Sequence, residues 1–456
     1  MYDSKRSVAR LAAATVAVFI LLLPAIWNRF ALLEYDTGGY LARWFEGILV
    51  PSRSTTYGLV LAATWPLDFW PILLLQAAAA VWMIALVLRT QRLNSHPLAV
   101  LVIIAVLSLT TALPWLASEL LTDIFAGLAV LGFHILIWQS DRVSGRERIA
   151  LVVFVAFAAS THSATFAVLL ALEVAAMLVS GFNARLVPRA GLVRGASTLL
   201  LGAAMLVACN YVVAKRIAWT PGGYGILFGR LLQDGIVTRY LNDHCPDPSL
   251  RLCPHRADLP LDADEFLWGD SLFDQLGRFQ GLGDEMRSIV LGSLRDYPLW
   301  QIEAAFVATA RQLVAVATGE GIVTEMWHTY GIITDYTPSA VPAMKAARQQ
   351  HGELHFTKIN EVHVPAALLS MALIPALLLL GLWSAEFADL GLLAATVALA
   401  LLANAAFCGA ISNPHDRYGS RMVWIATFAV ALVLARAYAL GRERLALFRR
   451  ESASTV

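Results

Sequence analysis

"IALVVFVAFAASTHSATFAVLLALEVAAMLVS", Ile149–Ser180, is apolar almost from end to end, yet Thr161, His162 and Ser163 interrupt it. As one helix these 32 residues would rise about 48 Å, well beyond a hydrocarbon core of ~30 Å. Two shorter helices meeting at Thr161–His162 fit better. Irregular backbone at membrane depth is tolerated only against protein or a water-filled cavity. Whether this stretch crosses once or twice decides the side on which every later loop lies.

The rest of the chain is of the same kind. It has 456 residues, 58% hydrophobic and 15% charged, against ~25% charged in a soluble protein. Further apolar runs lie at 8–28, 69–88, 97–113, 121–138, 196–214, 364–383, 390–411 and 422–440. With two crossings at 149–180 the sequence reads as an all-α polytopic membrane protein of about ten transmembrane helices. The first run is too long for a signal-peptide core and is expected to be retained. The net charge of +1 and the absence of a basic run argue against a nucleic acid partner.

Positive charge orients the spans. Lys5, Arg6 and Arg10, then Arg89 and Arg92, Arg142, Arg146 and Arg148, Arg185, Arg189 and Arg194, and finally Arg442, Arg444, Arg449 and Arg450 all fall between or beyond spans. Only the two-crossing reading puts them all on one side, the cytoplasm, with both termini inside. The acidic loop "SAEFAD", 384–389, is then cytoplasmic too. Three modules follow: 1–216, 217–363 and 364–456. The middle one is expected outside, in the periplasm, and mostly helical.

In that outer region Cys245 and Cys253 stand eight positions apart among prolines. On the oxidising side of a membrane such a pair favours a disulfide. His244 and His255 flank it, so zinc is the rival reading. "PLWQIEAAFVATARQLVAVAT", 298–318, carries Leu299, Ile302, Phe306, Ala310, Leu313 and Ala317 at steps of three and four, as an interfacial amphipathic helix does.

The polar residues at the outer span ends are candidates for chemistry. "EYDTGGY", Glu34–Tyr40, follows the first span directly. Asp36 suits a general base or a metal ligand, and Gly38 and Gly39 would let backbone approach a ligand; the bland reading is a solvated turn. Glu34 is expected to point away from Asp36. Arg53 stands in a hydroxyl-rich segment. Glu119 and Asp123 share a helical face and are costly near a membrane unless used or paired. His162 is either a site residue or a buried structural histidine. "NPHDRYGSR" groups His415, Asp416, Arg417, Tyr418 and Arg421. Such cations suit a phosphate, or they simply snorkel.

In order and placement these residues resemble the GT-C superfamily of integral membrane glycosyltransferases. The resemblance rests on "YDTGGY", "SRSTTYGL" and "HDRY" on a ten-span frame, over roughly 8–216 and 364–440; 217–363 matches nothing in it. It implies inverting transfer of a sugar from a polyprenyl-phosphate donor to a glycan or glycolipid acceptor of the cell envelope. Asp36 would be the catalytic base. Arg53, His415, Arg417 and Tyr418 would hold the donor phosphate, and Glu119, Asp123 and His162 would orient the acceptor or a cation. Tyr35 or Tyr40 would stack on the sugar. A divalent cation, magnesium or manganese, is the one cofactor it raises. The Ala- and Arg-rich composition, without Asn-x-Ser/Thr sequons, is compatible with a bacterial inner membrane. The rival classes are a transporter or flippase of an envelope lipid, a ligase or polymerase of lipid-linked glycans, and an acyltransferase centred on His162 or His415.

Overall fold

The computed structural model describes residues 2–93, 96–183, 185–221 and 223–454, with side chains over 8–442 of that range. The orienting residues Lys5, Arg6, Arg444, Arg449 and Arg450 lie outside the described side chains. The protein is 78% helical and no strand forms among the described residues. Among the described residues six helices are long and apolar enough to cross a membrane: Trp70–Thr90, Ser163–Phe182, Arg189–Ala214, Phe356–Trp383, Ala388–Ile411 and Asp416–Arg442. Shorter apolar helices cover Val8–Leu21, Pro97–Thr110 and Ile124–Trp138. The opening stretch is broken where its polar residues stand. Gly145–Thr161 and Ser163–Phe182 are separate helices, and His162 is extended between them, with φ −153° and ψ 129°. Its ring caps the second helix, accepting from the Ala164 N–H.

One contiguous apolar core runs through these helices. At one end of the bundle the basic loops meet. Arg142 pairs with Asp389 at 2.7 Å and donates to the Thr90 carbonyl, Arg89 pairs with Glu147, and Arg436 donates to the Gln91 and Glu386 carbonyls. Asp389 of the acidic loop is thus neutralised by a basic neighbour. The polar candidates lie at the other end.

The segment 217–363 divides. Residues within 226–304 have a core of their own, built on Phe228, Phe266, Phe273 and Met286, and the Cys245–Cys253 disulfide packs against it. From Val316 to Ala347 the apolar side chains instead join the core of the long helices. Pro298–Val314 runs antiparallel beside Ala388–Ile411: Ala308 touches Gly409, while Gln312 and Val316 share a small cavity with Asn404 and Leu401. Leu299, Ile302 and Phe306 form its exposed apolar face.

The loop that carries "EYDTGGY" is clamped from two sides. Leu32 pairs with the backbone of Ser118 and Leu120, and the Gln349 side chain bonds both the N–H and the carbonyl of Leu33. The helix Tyr35–Glu46 therefore starts at a fixed point. Gly38 is needed there because a Cβ would stand 2.8 Å from the Thr329 backbone, and Gly39 lies against the Arg53 side-chain stem. Gly38 thus serves helix packing.

Candidate functional site

Helix capping places the first acid. Glu34 Oε2 accepts from the Asp36 N–H at 2.6 Å and Thr37 Oγ1 accepts from the Glu34 N–H, a reciprocal cap. Asp36, in the first turn, is thereby held beside Glu34. One Asp36 oxygen pairs with Arg53 and the other lies 2.8 Å from Arg417 Nη1. Arg417 also reaches Glu34 Oε1 at 2.9 Å and, through Nε, Asp123 Oδ2 at 2.8 Å. Arg421, one turn further along the same helix, bonds Asp123 Oδ1 at 3.3 Å and Asn404 at 2.8 Å. Three carboxylates and three guanidiniums thus form one charge-balanced network. Asp123 and Arg421 are 1% exposed, and Arg53, Asp36 and Arg417 between 12% and 16%. Tyr418 lies beneath both arginines, 5.5 and 5.4 Å from their guanidinium carbons.

The two leading acids titrate in opposite directions. Burial alone would raise the Asp36 carboxyl, but Arg53 and Arg417 hold it down at about 2. Burial dominates at Glu34, which is pushed up to about 7 despite Arg417. Glu119 is buried and makes no salt bridge among the described residues. Burial, and then the charges of Glu34 and Asp123, push its carboxyl well above the usual range.

The structure brings together Asp36, Arg53, Asp123, Arg417 and Tyr418, with His162 at the rim, 3.5 Å from Arg421. His415 is turned aside. Its ring bonds Glu320 at 2.9 Å and Asp264 at 3.1 Å, and these carboxylates outweigh burial to raise it to about 10. Tyr40 is fully buried against Tyr57, so its ring has no face for a sugar; Tyr35 is exposed and retains one. Glu34 does not point away from Asp36 but belongs to the network. Arg421 was legible from its four-residue spacing to Arg417, whereas no local signal marks Glu320, Asp264, Asn404 or Trp268, the last 5.9 Å over Arg53. Among the described residues no three His, Cys, Asp or Glu side chains gather as a metal shell. The acids face guanidiniums, so the donor set does not fit a divalent cation.

No protein-family model, curated protein or solved structure matches the chain.

Proposed function

We propose that the protein is a membrane glycosyltransferase. It moves a sugar from a polyprenyl-phosphate donor to an envelope acceptor at the outer face of a bacterial inner membrane. The observation that carries the reading is Asp36 held between Arg53 and Arg417, residues 17 and 381 positions away, at one buried point. A carboxylate flanked by two cations suits a reaction in which a proton is taken and a phosphate leaves.

In the free protein the base is masked, because both Asp36 oxygens are paired. A donor phosphate draws the guanidiniums to itself and the Asp36 carboxylate becomes more basic. Asp36 then takes the acceptor hydroxyl proton as the acceptor oxygen attacks the anomeric carbon. The bond from that carbon to the phosphate oxygen breaks, and the electron pair leaves with the polyprenyl phosphate between Arg53 and Arg417. The configuration inverts. Tyr35 and Trp268 carry exposed ring surface near the site. No step passes through a metal.

Ten crossings with both termini cytoplasmic accompany this reading. Its support is the gathering of the basic loops at the end opposite Asp36, together with the break at His162. A second reading, a transporter, has one observation in its favour. Glu173 lies within the span Ser163–Phe182, facing Gly195, and neither carboxyl oxygen is bonded among the described residues; an intramembrane acid of this kind is a functional candidate. Incubating purified protein with labelled polyprenyl-phosphate sugar and an envelope acceptor separates the two. Labelled glycoside and free polyprenyl phosphate are expected. Vectorial movement of intact donor in vesicles, without cleavage, would sink the transferase reading.

A further inference from the structure

The helix Pro298–Val314 joins the two apolar cores. Its start packs on the outer core through Tyr297 and Ala304, and Val316, just past its end, belongs to the core of the long helices. On its far side Leu299, Ile302 and Phe306 are 81%, 66% and 75% exposed, an apolar strip that has to be covered by something other than water. The helix does not lie flat. Ala308 is level with Gly409, two residues inside the outer end of the span Ala388–Ile411. By helical rise Phe306 then stands about 3 Å further out, level with the end of that span, Ile302 about 9 Å and Leu299 about 14 Å. A headgroup layer is ~5–8 Å deep on each side of a bilayer. The strip therefore climbs from the last turn of the span to the outer edge of the headgroups.

The upper end of the strip has the composition of a membrane–water boundary. The Arg239 guanidinium lies over the Tyr297 and Trp300 rings, 5.2 and 4.7 Å away, and the Tyr297 hydroxyl donates to Asp243 at 2.6 Å. Rings with one wet end and an arginine stem along them sit at headgroup level. Glu303 and Arg311 are exposed on the flank of the same helix, which suits headgroups carrying both charges and not the charge-poor centre of a protein interface. The span it packs against leaves Leu402 and Ile411 half-exposed as well, so the strip adjoins a lipid-facing side of the bundle. The lower end of the helix is tied to the charged network. Gln312 Nε2 donates to the His415 carbonyl at 2.8 Å, and the His415 N–H donates back to Gln312 Oε1 at 2.9 Å. The Ala317 N–H donates to Asp416 at 2.8 Å, and only a glycine fits at 419, against the Ala315 carbonyl. Arg417 stands between these fixed points.

We propose that the strip is the seat of the outer unit on a lipid surface, the outer leaflet, and that the helix braces the Arg417 turn from that seat. Lipid holds the apolar face of Pro298–Val314, the reciprocal bonds of Gln312 hold His415, and Arg417 follows two residues on. The bilayer thereby takes part in keeping the network assembled. The inference rests on a chain that spans the membrane and does not depend on sugar transfer.

The test uses the full-length protein in nanodiscs of phosphatidylethanolamine and phosphatidylglycerol. Spin labels are placed at Ile302→Cys and Phe306→Cys in a Cys209→Ser background, with Leu261→Cys, at an exposed position of the outer unit, as the control. Collision with oxygen, which gathers in lipid, is compared with collision with a nickel chelate, which stays in water. Labels at 302 and 306 should favour oxygen and the label at 261 nickel. Labels at 302 and 306 that behave like 261 would leave the strip in water; labels shielded from both reagents would mean that a second copy or another protein covers it. Either result overturns the seat. The brace is read by hydrogen exchange at 415–417. Those amides should exchange about tenfold slower in nanodiscs than in lipid-free amphipol, the order of one or two hydrogen bonds. Ile302→Glu with Phe306→Glu should abolish that difference, and Ile302→Leu with Phe306→Leu should keep it. Gln312→Leu should speed the same amides in both media without moving the labels. Equal exchange of the wild type in both media overturns the brace. Both expected results without any glycosyl transfer would keep the proposal and reject only the transferase reading.

Discussion

Replacing Arg417 by glutamine removes one guanidinium from three carboxylates at once. Its Nη1 lies 2.9 Å from Glu34 and 2.8 Å from Asp36, and its Nε 2.8 Å from Asp123. The three acids are not left equally exposed to the loss. Asp36 keeps Arg53 and Asp123 keeps Arg421. Glu34, 3% exposed, loses its one salt bridge among the described residues. The expected cost is therefore that of breaking one buried pair, ~3–5 kcal/mol, rather than three times that. It must also depend on pH. Glu34 already titrates at about 7 in the intact network. Without Arg417 that value rises, since the guanidinium is what lowers it. Below 7 the carboxyl is protonated with or without Arg417, so no charge is orphaned; above 7 the intact network lets the proton go while the variant has to keep it or bear the unpaired charge, and the cost of the substitution grows. Arg417→Gln should thus be much more damaging at pH 8.5 than at pH 5.5. Glu34→Gln in the same chain should restore part of the loss at the higher pH. Unfolding in mixed micelles at both pH values, on both single variants and the double, measures this. A loss below about 1 kcal/mol at both pH values, with no coupling to Glu34→Gln, would show an arginine that merely snorkels and would refute the buried network.

Three further outcomes are expected. Non-reduced peptide mapping should show Cys245 linked to Cys253 with Cys209 and Cys408 free, and breaking the link should cost the outer core ~2–4 kcal/mol while the long helices keep their stability; stoichiometric zinc with two free thiols would contradict it. His415, held at about 10 against an ordinary 6.5 by Asp264 and Glu320, contributes stability that is complete below pH 6.5 and is lost as pH rises towards 10. Hydrogen exchange around Asp264 and Glu320 should accelerate over that window in the wild type and be flat in His415→Gln; equal profiles would mean the ring is not charged there. Reporters fused after Ser412 and after Arg189 should read periplasmic and cytoplasmic respectively, a pair of results that a single crossing at 149–180 cannot give.

The helices were legible because apolar length is a local property of sequence. The expected apolar runs are helical over most of their length, six of them long enough among the described residues to cross a membrane, and the break at Thr161–His162 follows from a polar interruption in a run too long for one crossing. The cysteine pair was legible for the same local reason. Within the site, Asp36, Arg53 and Arg417 could be named as charged residues at span ends. Their mutual contact could not, because it joins positions separated by 381 residues through the fold. Glu34 was misjudged because a cap was not foreseen: its side chain bends forward to the Asp36 N–H, which turns the other oxygen towards Arg417. Tyr40 was misjudged because helix phase alone does not show which face meets Tyr57. Gly38 makes room for the Thr329 backbone, and Thr329 belongs to a segment that no pattern in the sequence connects with the first loop.

The most direct measurement compares sugar transfer and donor binding on Asp36→Asn. The substitution keeps the shape and removes the base, and it releases Arg53 from its ion pair while Arg417 keeps Glu34 and Asp123. The account predicts donor affinity kept or strengthened, while transfer falls by ~10²–10⁴-fold, the range for a positioned general base. Full transfer activity in Asp36→Asn, or a loss of donor binding as large as the loss of rate, would contradict it.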